Sequence, residues 1–290
     1  MENPIPYTGE NGSAVNSDDL CYTDKFKAGV FFHHRDLGDS QSLRSSHCHG
    51  FYEALYIFDG DGKYLIEGNE YDLRPGSLFI AAPLDYHCVE VTPGVPYNRA
   101  GFYFRLSSLP PSAQKILNER HGLHSSRGLY FSPEEGQTVF GSIFEKMCRA
   151  EAMPKDLSRD YLLTLLTESI YAIENLKEQE EDSGNDLGSR IIRYLNDHVT
   201  EHISLDSLAE EFYASKYYLC RAFKKKNGIS IHEYLTQKRI HLAKAMIERG
   251  ENASAAAYRV GFGDYSCFYR AYVKVIGRSP INGQDEDGKE

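Results

Sequence analysis

Two stretches near the carboxyl end repeat one chemical pattern. In Ser215-Lys-Tyr-Tyr-Leu-Cys-Arg-Ala-Phe-Lys-Lys225, a helix that buries Leu219, Ala222 and Phe223 leaves Lys216, Tyr217, Cys220, Arg221 and Lys224 on its open side. In the stretch from Asp264 to Lys274, burying Phe268, Ala271 and Tyr272 leaves Tyr265, Ser266, Tyr269, Arg270 and Lys274 open. Neither open side carries a carboxylate after its cap. Arg221 and Arg270 each hold the donor fork that a guanine edge accepts in two hydrogen bonds, about 1 to 3 kcal/mol of discrimination per good pair. Taken singly these are ordinary solvated helix residues; the matched repetition is what points to duplex DNA. A second cluster lies in the first half, where His47 and His49 stand at period two, so that a strand shows both on one side.

The basic stretches need elements that present them. A short helix, a turn and a capped helix form the helix-turn-helix layout, whose second helix enters a major groove. Ser204 caps the first short helix, Tyr213-Ala214 turns the chain, Ser215 caps the second helix and Gly228 ends it. Ser230 opens a long helix closed by Gly250; Ser254 to Val260, the turn Gly261-Phe262-Gly263 and the cap Asp264 repeat the unit. With the helix Ser189 to Val199 in front, residues 188–282 form an all-α DNA-binding domain. Upstream, Lys27 to Leu109 is a series of short apolar and β-branched runs between turns such as Asp59-Gly60-Asp61-Gly62, Arg74-Pro75-Gly76 and Thr92-Pro93-Gly94. This predicts an all-β antiparallel barrel or sandwich over 21–110. Pro133 to Glu151 and Asp156 to Leu176 read as amphipathic helices whose stripes must be covered by the barrel or by a second copy of the chain, so 111–178 is taken as a helical dimerisation segment. Residues 1–20 read as a flexible leader, 179–187 as a linker and 283–290 as an acidic tail.

Composition bounds the class. A chain of 290 residues holds about two domains, and 41% hydrophobic with 26% charged residues is the profile of a chain that folds. No run of about 18 apolar residues occurs and the amino terminus is acidic, which predicts neither a membrane span nor a secretory signal. Six cysteines without a Cys-x-x-Cys pair read as reduced thiols, hence a cytoplasmic protein. The net charge of −10 hides an asymmetry: residues 1–188 hold 16 basic against 29 acidic side chains, residues 189–282 hold 15 against 9. Only the second part suits a polyanion, and the acidic total argues against a nonspecific nucleoid-binding protein.

The same residues carry a family resemblance. Ile203-Ser-Leu-Asp-Ser-Leu-Ala209, then Ser215 to Lys225, Gly228, Tyr234-Leu-x-x-x-Arg239, Ala243, Val260-Gly-Phe-Gly-Asp264, Phe268-Tyr-Arg270, Gly277 and Ser279-Pro280 resemble the AraC/XylS family of bacterial transcription regulators. The resemblance implies two helix-turn-helix subdomains joined by one long helix, with recognition helices in successive major grooves roughly 34 Å apart. Three departures fall in the second subdomain: Ala256-Ala257 before Val260-Gly261-Phe262, Tyr272-Val273-Lys274 where Phe-Lys-Lys is usual, and Ile281-Asn282-Gly283 after Ser279-Pro280. They predict looser packing and a weaker hold on phosphates there.

In the first half, His47-x-His49-x-x-x-Glu53-x6-Gly60, with Gly76 and, after Pro83, His87, is similar to the cupin motifs. For metal-bearing cupins the resemblance implies one divalent ion on His47, His49, Glu53 and His87, since imidazoles with a carboxylate suit Mn, Fe, Ni or Zn. For arm domains of AraC-like regulators it implies a small organic effector and no metal. The attached DNA-binding module favours the effector pocket, with His47, His49, Glu53, His87 and Tyr103 as its residues, no cofactor and no catalysis; Tyr52, Tyr56, Tyr86 and Arg105 are further candidates to frame the cavity. The rival class is a metal-dependent cupin enzyme with an accessory helical domain. Expected partners are promoter or operator DNA, an effector of unknown identity, RNA polymerase and a second copy of the chain.

Overall fold

The computed structural model describes residues 30–39, 46–121, 128–150, 152–176 and 186–280. The predicted leader, the acidic tail, residues 179–185 of the predicted linker, Cys21 and Ile281 to Gly283 lie outside that range.

Among the described residues, eight strands belong to the first domain: β1 (Val30–Asp39), β2 (Tyr52–Asp59), β3 (Gly62–Ile66), β4 (Asn69–Leu73), β5 (Leu78–Ala81), β6 (His87–Val91), β7 (Pro96–Phe104) and β8 (Leu129–Phe131). They form a five-stranded sheet in the order β1-β7-β2-β5-β8 and a three-stranded sheet in the order β4-β3-β6, with all pairs antiparallel. The inward faces meet through Leu55, Ile57, Phe79 and Tyr97 from the large sheet and Tyr64, Ile66, Tyr71 and Leu73 from the small one.

Strand parity decides what faces that lumen. On β2, Glu53, Leu55 and Ile57 alternate with Tyr52, Ala54 and Tyr56. Tyr52 and Tyr56 therefore belong to the opposite face, stacked on Phe104 at 5.2 Å and on Phe144 at 4.9 Å. They do not frame the cavity as expected, because short β runs show alternation in sequence but not which phase points inward. Arg105 lies beyond the end of β7.

Three helices cover the outer face of the large sheet: α1 (Pro111–His121), α2 (Pro133–Ala150) and α3 (Lys155–Glu174). Phe140, Ile143, Phe144 and Met147 of α2 and Leu162, Leu165, Leu166, Ile170 and Ile173 of α3 share one core with Ala54, Phe102 and Phe104. The barrel thus covers the apolar stripe within one chain, and a second copy is not needed to bury it. The predicted boundary at residue 110 also moves: β8 pairs with β5 from inside the segment assigned to helices. Its three residues are too few to display a period.

Six helices follow: α4 (Leu187–Asp197), α5 (Leu205–Glu211), α6 (Lys216–Asn227), α7 (Ile231–Glu248), α8 (Ala253–Arg259) and α9 (Tyr265–Ile276). Ser204, Ser215, Ser230 and Asp264 cap them as their side-chain oxygens predict, each accepting from a backbone N–H two or three residues on. α7 serves two cores. Ile231, Tyr234 and Leu235 join Ile191, Ile192, Leu208, Leu219 and Phe223, while Ile240, Ala243 and Ile247 join Ala256, Ala257, Val260, Phe268 and Tyr272. Ala256 and Ala257 are fully buried in the second core.

Candidate nucleic-acid interface and barrel site

α5 and α6 form the first helix-turn-helix, α8 and α9 the second. Their turns close with the same bond, Ala214 N–H to Ala209 O at 3.1 Å and Phe262 N–H to Ala257 O at 3.0 Å. At matching places in the two turns, Tyr213 has φ +49° and Gly261 φ +90°. Tyr213, absent from the sequence-predicted interface, is 97% exposed.

On α6, Lys216, Tyr217, Arg221 and Lys224 are exposed, and Tyr218 beside them is exposed as well. Lys216 is ion-paired with Asp206 of α5. Cys220 is half-buried against the first core. On α9, Ser266, Tyr269, Arg270 and Lys274 are exposed, whereas Tyr265 packs partly on the second core beside Phe268. Arg270 Nη2 lies 3.4 Å from Cys267 Sγ. Eight of the ten predicted contact residues thus stand on open faces; the other two, at the edges of their apolar stripes, are partly covered.

Arg239, in the middle of α7, contacts both helix-turn-helix subdomains. Its Nε donates to Val199 O at 2.8 Å, Nη2 to Glu201 O at 2.6 Å and Nη1 to Gly261 O at 3.3 Å. The first two carbonyls lie ahead of α5 and the third lies in the second turn, so one guanidinium ties both subdomains to the long helix. Burial holds its pKa below the usual value, although it remains a cation. Gly261 is required here for two reasons: its φ, and a side chain that would meet Thr200 O at 2.8 Å and the Arg239 guanidinium at 3.2 Å.

In the barrel, β2 and β6 supply Glu53 and His87, and the segment before β2 supplies His47 and His49. Donor atoms of all four lie within 4.8 Å of one another. His47 is bound to His87 through both backbone bonds of a β-bridge, 3.0 and 2.9 Å. His49 Nδ1 lies 2.9 Å from Phe51 O and His87 Nδ1 lies 2.8 Å from Asp85 O. A proton on each Nδ1 answers those carbonyls and turns the lone pair of each Nε2 inward. Both Nε2 atoms then face one oxygen, Glu53 Oε2, at 3.1 and 3.0 Å. Three electron-rich atoms so close call for positive charge among them, either a second proton on an imidazole or a metal ion. Although burial opposes it, the bonds to His49 and His87 hold the Glu53 carboxyl well below the usual range; against its own burial, the Glu53 bond raises His87. Three imidazoles and a carboxylate with backbone carbonyls behind them fit a divalent transition metal. Tyr103 also faces this cluster, its ring 5.9 Å from His49.

A third feature has no counterpart in the sequence reading. Glu67, 3% exposed in the turn between β3 and β4, accepts from the hydroxyl of Tyr234 and from Asn196 Nδ2 at 2.7 Å, and pairs with Lys238 Nζ at 2.5 Å. Tyr234 and Lys238 belong to α7, Asn196 to α4. Glu67 also accepts the N–H of Tyr86, whose ring lies 5.4 Å from that of Tyr234. Around this hub Ser189 Oγ donates to Gly68 O at 3.2 Å and Ser46 Oγ to Asn227 O at 3.2 Å. Tyr86 therefore belongs to the junction between barrel and first helix-turn-helix.

Two family models match the chain. The AraC-like ligand binding domain covers residues 32–166 and the helix-turn-helix domain covers residues 208–283. The chain belongs to the AraC family of transcription regulators. It is 28% identical over 234 residues to the uncharacterized HTH-type transcriptional regulator YbfI of Bacillus subtilis, covering 76% of this chain and 80% of that one. It is 25% identical over 270 residues to the HTH-type transcriptional activator RhaS of Klebsiella pneumoniae, covering 90% and 95%. Among solved structures it is similar to ToxT of Vibrio cholerae, 13% identical with a TM-score of 0.37 over 88% of this chain and 96% of that one. This AraC-type regulator carries its ligand-binding domain at the amino-terminal side and its DNA-binding domain at the carboxyl-terminal side, and the described residues contain no helix long and apolar enough to cross a membrane.

Proposed function

We propose that α6 and α9 read an operator in successive major grooves, and that a small molecule in the barrel sets how well they do so. The observation that carries the reading is the pair of capped helices whose Arg221 and Arg270 stand exposed on the faces left open by two separate cores. Arg221, Tyr217 and Lys224 face one groove; Arg270, Tyr269 and Lys274 face the next. Lys216 leaves Asp206 for a phosphate, a small cost since exposed ion pairs contribute under about 1 kcal/mol.

The hub around Glu67 supplies the coupling. The β3–β4 turn is part of the barrel, while Lys238 immediately precedes Arg239, the residue that ties the two reading heads. A ligand that makes different contacts with two positions of that turn shifts the population of α7 placements, and with it operator affinity.

His47, His49, Glu53 and His87 serve the ligand site in this reading. A divalent ion held by them would supply a Lewis-acid centre for an oxygen of the effector. The site senses and does not turn over substrate; stoichiometric metal together with no duplex affinity would support the rival enzyme reading. A cytoplasmic homodimer that contacts RNA polymerase completes the proposal, with the outer faces of α2 and α3 as dimer surface. The deciding experiment compares wild type with Arg221→Ala on an operator selected from random duplexes and on unselected duplex. Loss at least tenfold greater on the operator is expected; equal losses refute base readout by this residue.

A further inference from the structure

We propose that the barrel lumen takes a small oxyanion-bearing ligand, a carboxylate metabolite, with Arg99 as its anchor and the hydroxyls of Tyr64 and Tyr97 as flanking donors. The inference rests on reading the barrel as the effector domain, and it names the effector's chemistry.

Parity on β7 turns Tyr97, Arg99, Gly101 and Tyr103 toward the lumen, since the alternate residues Ala100, Phe102 and Phe104 lie in the core beneath the helices. The register of β1 against β7 sets His33 opposite Gly101 and Arg35 opposite Arg99. Gly101 makes room for His33, because a side chain there would lie 2.3 Å from the imidazole. Tyr64 reaches the same space from β3 in the facing sheet.

Four polar atoms in this lumen are sealed from solvent without a hydrogen-bond partner: His33 Nδ1, Tyr64 Oη, Tyr97 Oη and Arg99 Nε. Buried polar groups are nearly always paired, so their gathering on facing strands marks a place where a ligand completes the bonds. Tyr64 and Tyr97 are 0% and 1% exposed, which makes an unanswered hydroxyl costly.

Charge selects the class. Among the described residues the Arg99 guanidinium has no ion pair and rests over the Tyr97 ring at 5.9 Å, while the lumen's own carboxylate, Glu53, is bonded to His49 and His87. Burial first, then the charges of Arg99 and Arg35, keeps His33 from becoming a cation. A guanidinium Nε and two phenolic O–H groups are donors, and a carboxylate is acceptor-only with two oxygens to receive them. A phosphate monoester offers the same chemistry and is separated from a carboxylate by experiment.

The test uses the full chain and follows melting temperature and calorimetric affinity with acetate, benzoate, succinate, citrate and inorganic phosphate, against succinamide and glucose. At least one carboxylate is expected to raise the melting temperature, with succinamide and glucose inert. Arg99→Met is expected to lower affinity for that carboxylate at least tenfold. Should Arg99→Met fail to fold, Tyr97→Phe keeps the ring and is expected to weaken the same carboxylate several-fold without changing unliganded stability. No response to any of these anions overturns the inference, as does equal affinity in wild type and variant, or a response to phosphate or glucose alone. A protein that binds its selected operator yet ignores every anion loses this inference and keeps the regulator reading; one that binds a carboxylate but no duplex does the reverse.

Discussion

Removing the Arg239 side chain tests whether the two reading heads act as one rigid unit. The bond to Val199 O is part-buried and charge-assisted, a kind that contributes about 1.5 to 3 kcal/mol. The bond to Glu201 O is exposed and adds under about 1 kcal/mol, and the 3.3 Å contact to Gly261 O adds little. Arg239→Ala is therefore expected to cost about 2 to 4 kcal/mol in urea unfolding of the full chain, within reach of a domain that stays folded. The larger consequence is geometric. Neither recognition helix is touched, so binding to duplexes carrying only one half of the selected operator is expected to change less than twofold. Binding to the complete operator, which needs both helices one duplex turn apart, is expected to fall at least tenfold, about 1.4 kcal/mol. Arg239→Lys follows the alanine variant, since one ammonium cannot serve three carbonyls on both sides of the junction. Fluorescence anisotropy at fixed salt reads both duplexes. Equal losses on half and complete operators, or an unchanged complete-operator affinity in a folded variant, would refute the idea that Arg239 sets the spacing.

Three further substitutions probe the turn, the hub and its neighbour. Tyr213→Gly places at φ +49° the residue type found at the matching site in the second turn, and is expected to stabilise the chain by about 1 kcal/mol in urea unfolding; a loss of stability contradicts backbone strain at Tyr213. Glu67→Gln leaves Lys238 buried without its counter-charge and is expected to cost about 3 kcal/mol, most of it recovered when Lys238→Met is added; a double variant no better than the single one refutes the ion pair as the source. Burial, with Glu67 nearby, pushes the Asp85 carboxyl up to about 7 from an ordinary 3.8. The folded chain holds that proton between these values and the unfolded chain does not, so this group makes stability fall as pH rises from about 4 to 7. Asp85→Asn is expected to flatten the fall of melting temperature over that window, and an unchanged profile assigns the proton elsewhere.

The recognition helices were legible because their signals are local. A serine or aspartate oxygen within reach of an N–H two or three residues on, and a glycine at φ +79° or +81° after the last turn, fix the ends of α6 and α9. The His and Glu cluster was legible through its resemblance to the cupin motifs; the strand expected to carry His47 and His49 is instead a segment before β2, where the bridge from His47 to His87 brings them in. Tyr52 and Tyr56 were misplaced because alternation gives two faces and not their identity; that identity is decided by Phe104 and Phe144, far along the chain. α1 carried too weak a polar and apolar contrast, and β8 too few residues, to stand out. Glu67 was invisible for a deeper reason. It sits in Ile66-Glu67-Gly68-Asn69, which reads as a solvated hairpin turn, and only partners far along the chain, Lys238 and Tyr234 of α7 and Asn196 of α4 with the Tyr86 N–H, make its burial tolerable.

In the proposed function that hidden pair puts sensing and reading on adjacent residues. Lys238 and Arg239 point from neighbouring positions of α7 to different neighbours, one to the barrel turn and the other to the carbonyls that set the two helix-turn-helix units. Leu235 and Ile240, on either side, belong to different cores, so this turn of α7 is also the seam between the subdomains. A rotation of the helix that lengthens the Glu67 contact moves Arg239 as well, because a helix turns as a rigid body far more readily than it shears between consecutive residues. Coupling through this turn needs no chain of weak contacts across the domain. It requires only that the barrel turn have two positions whose difference a ligand can favour, and the hairpin that carries Glu67 is anchored in the sheet whose Tyr64 faces the lumen.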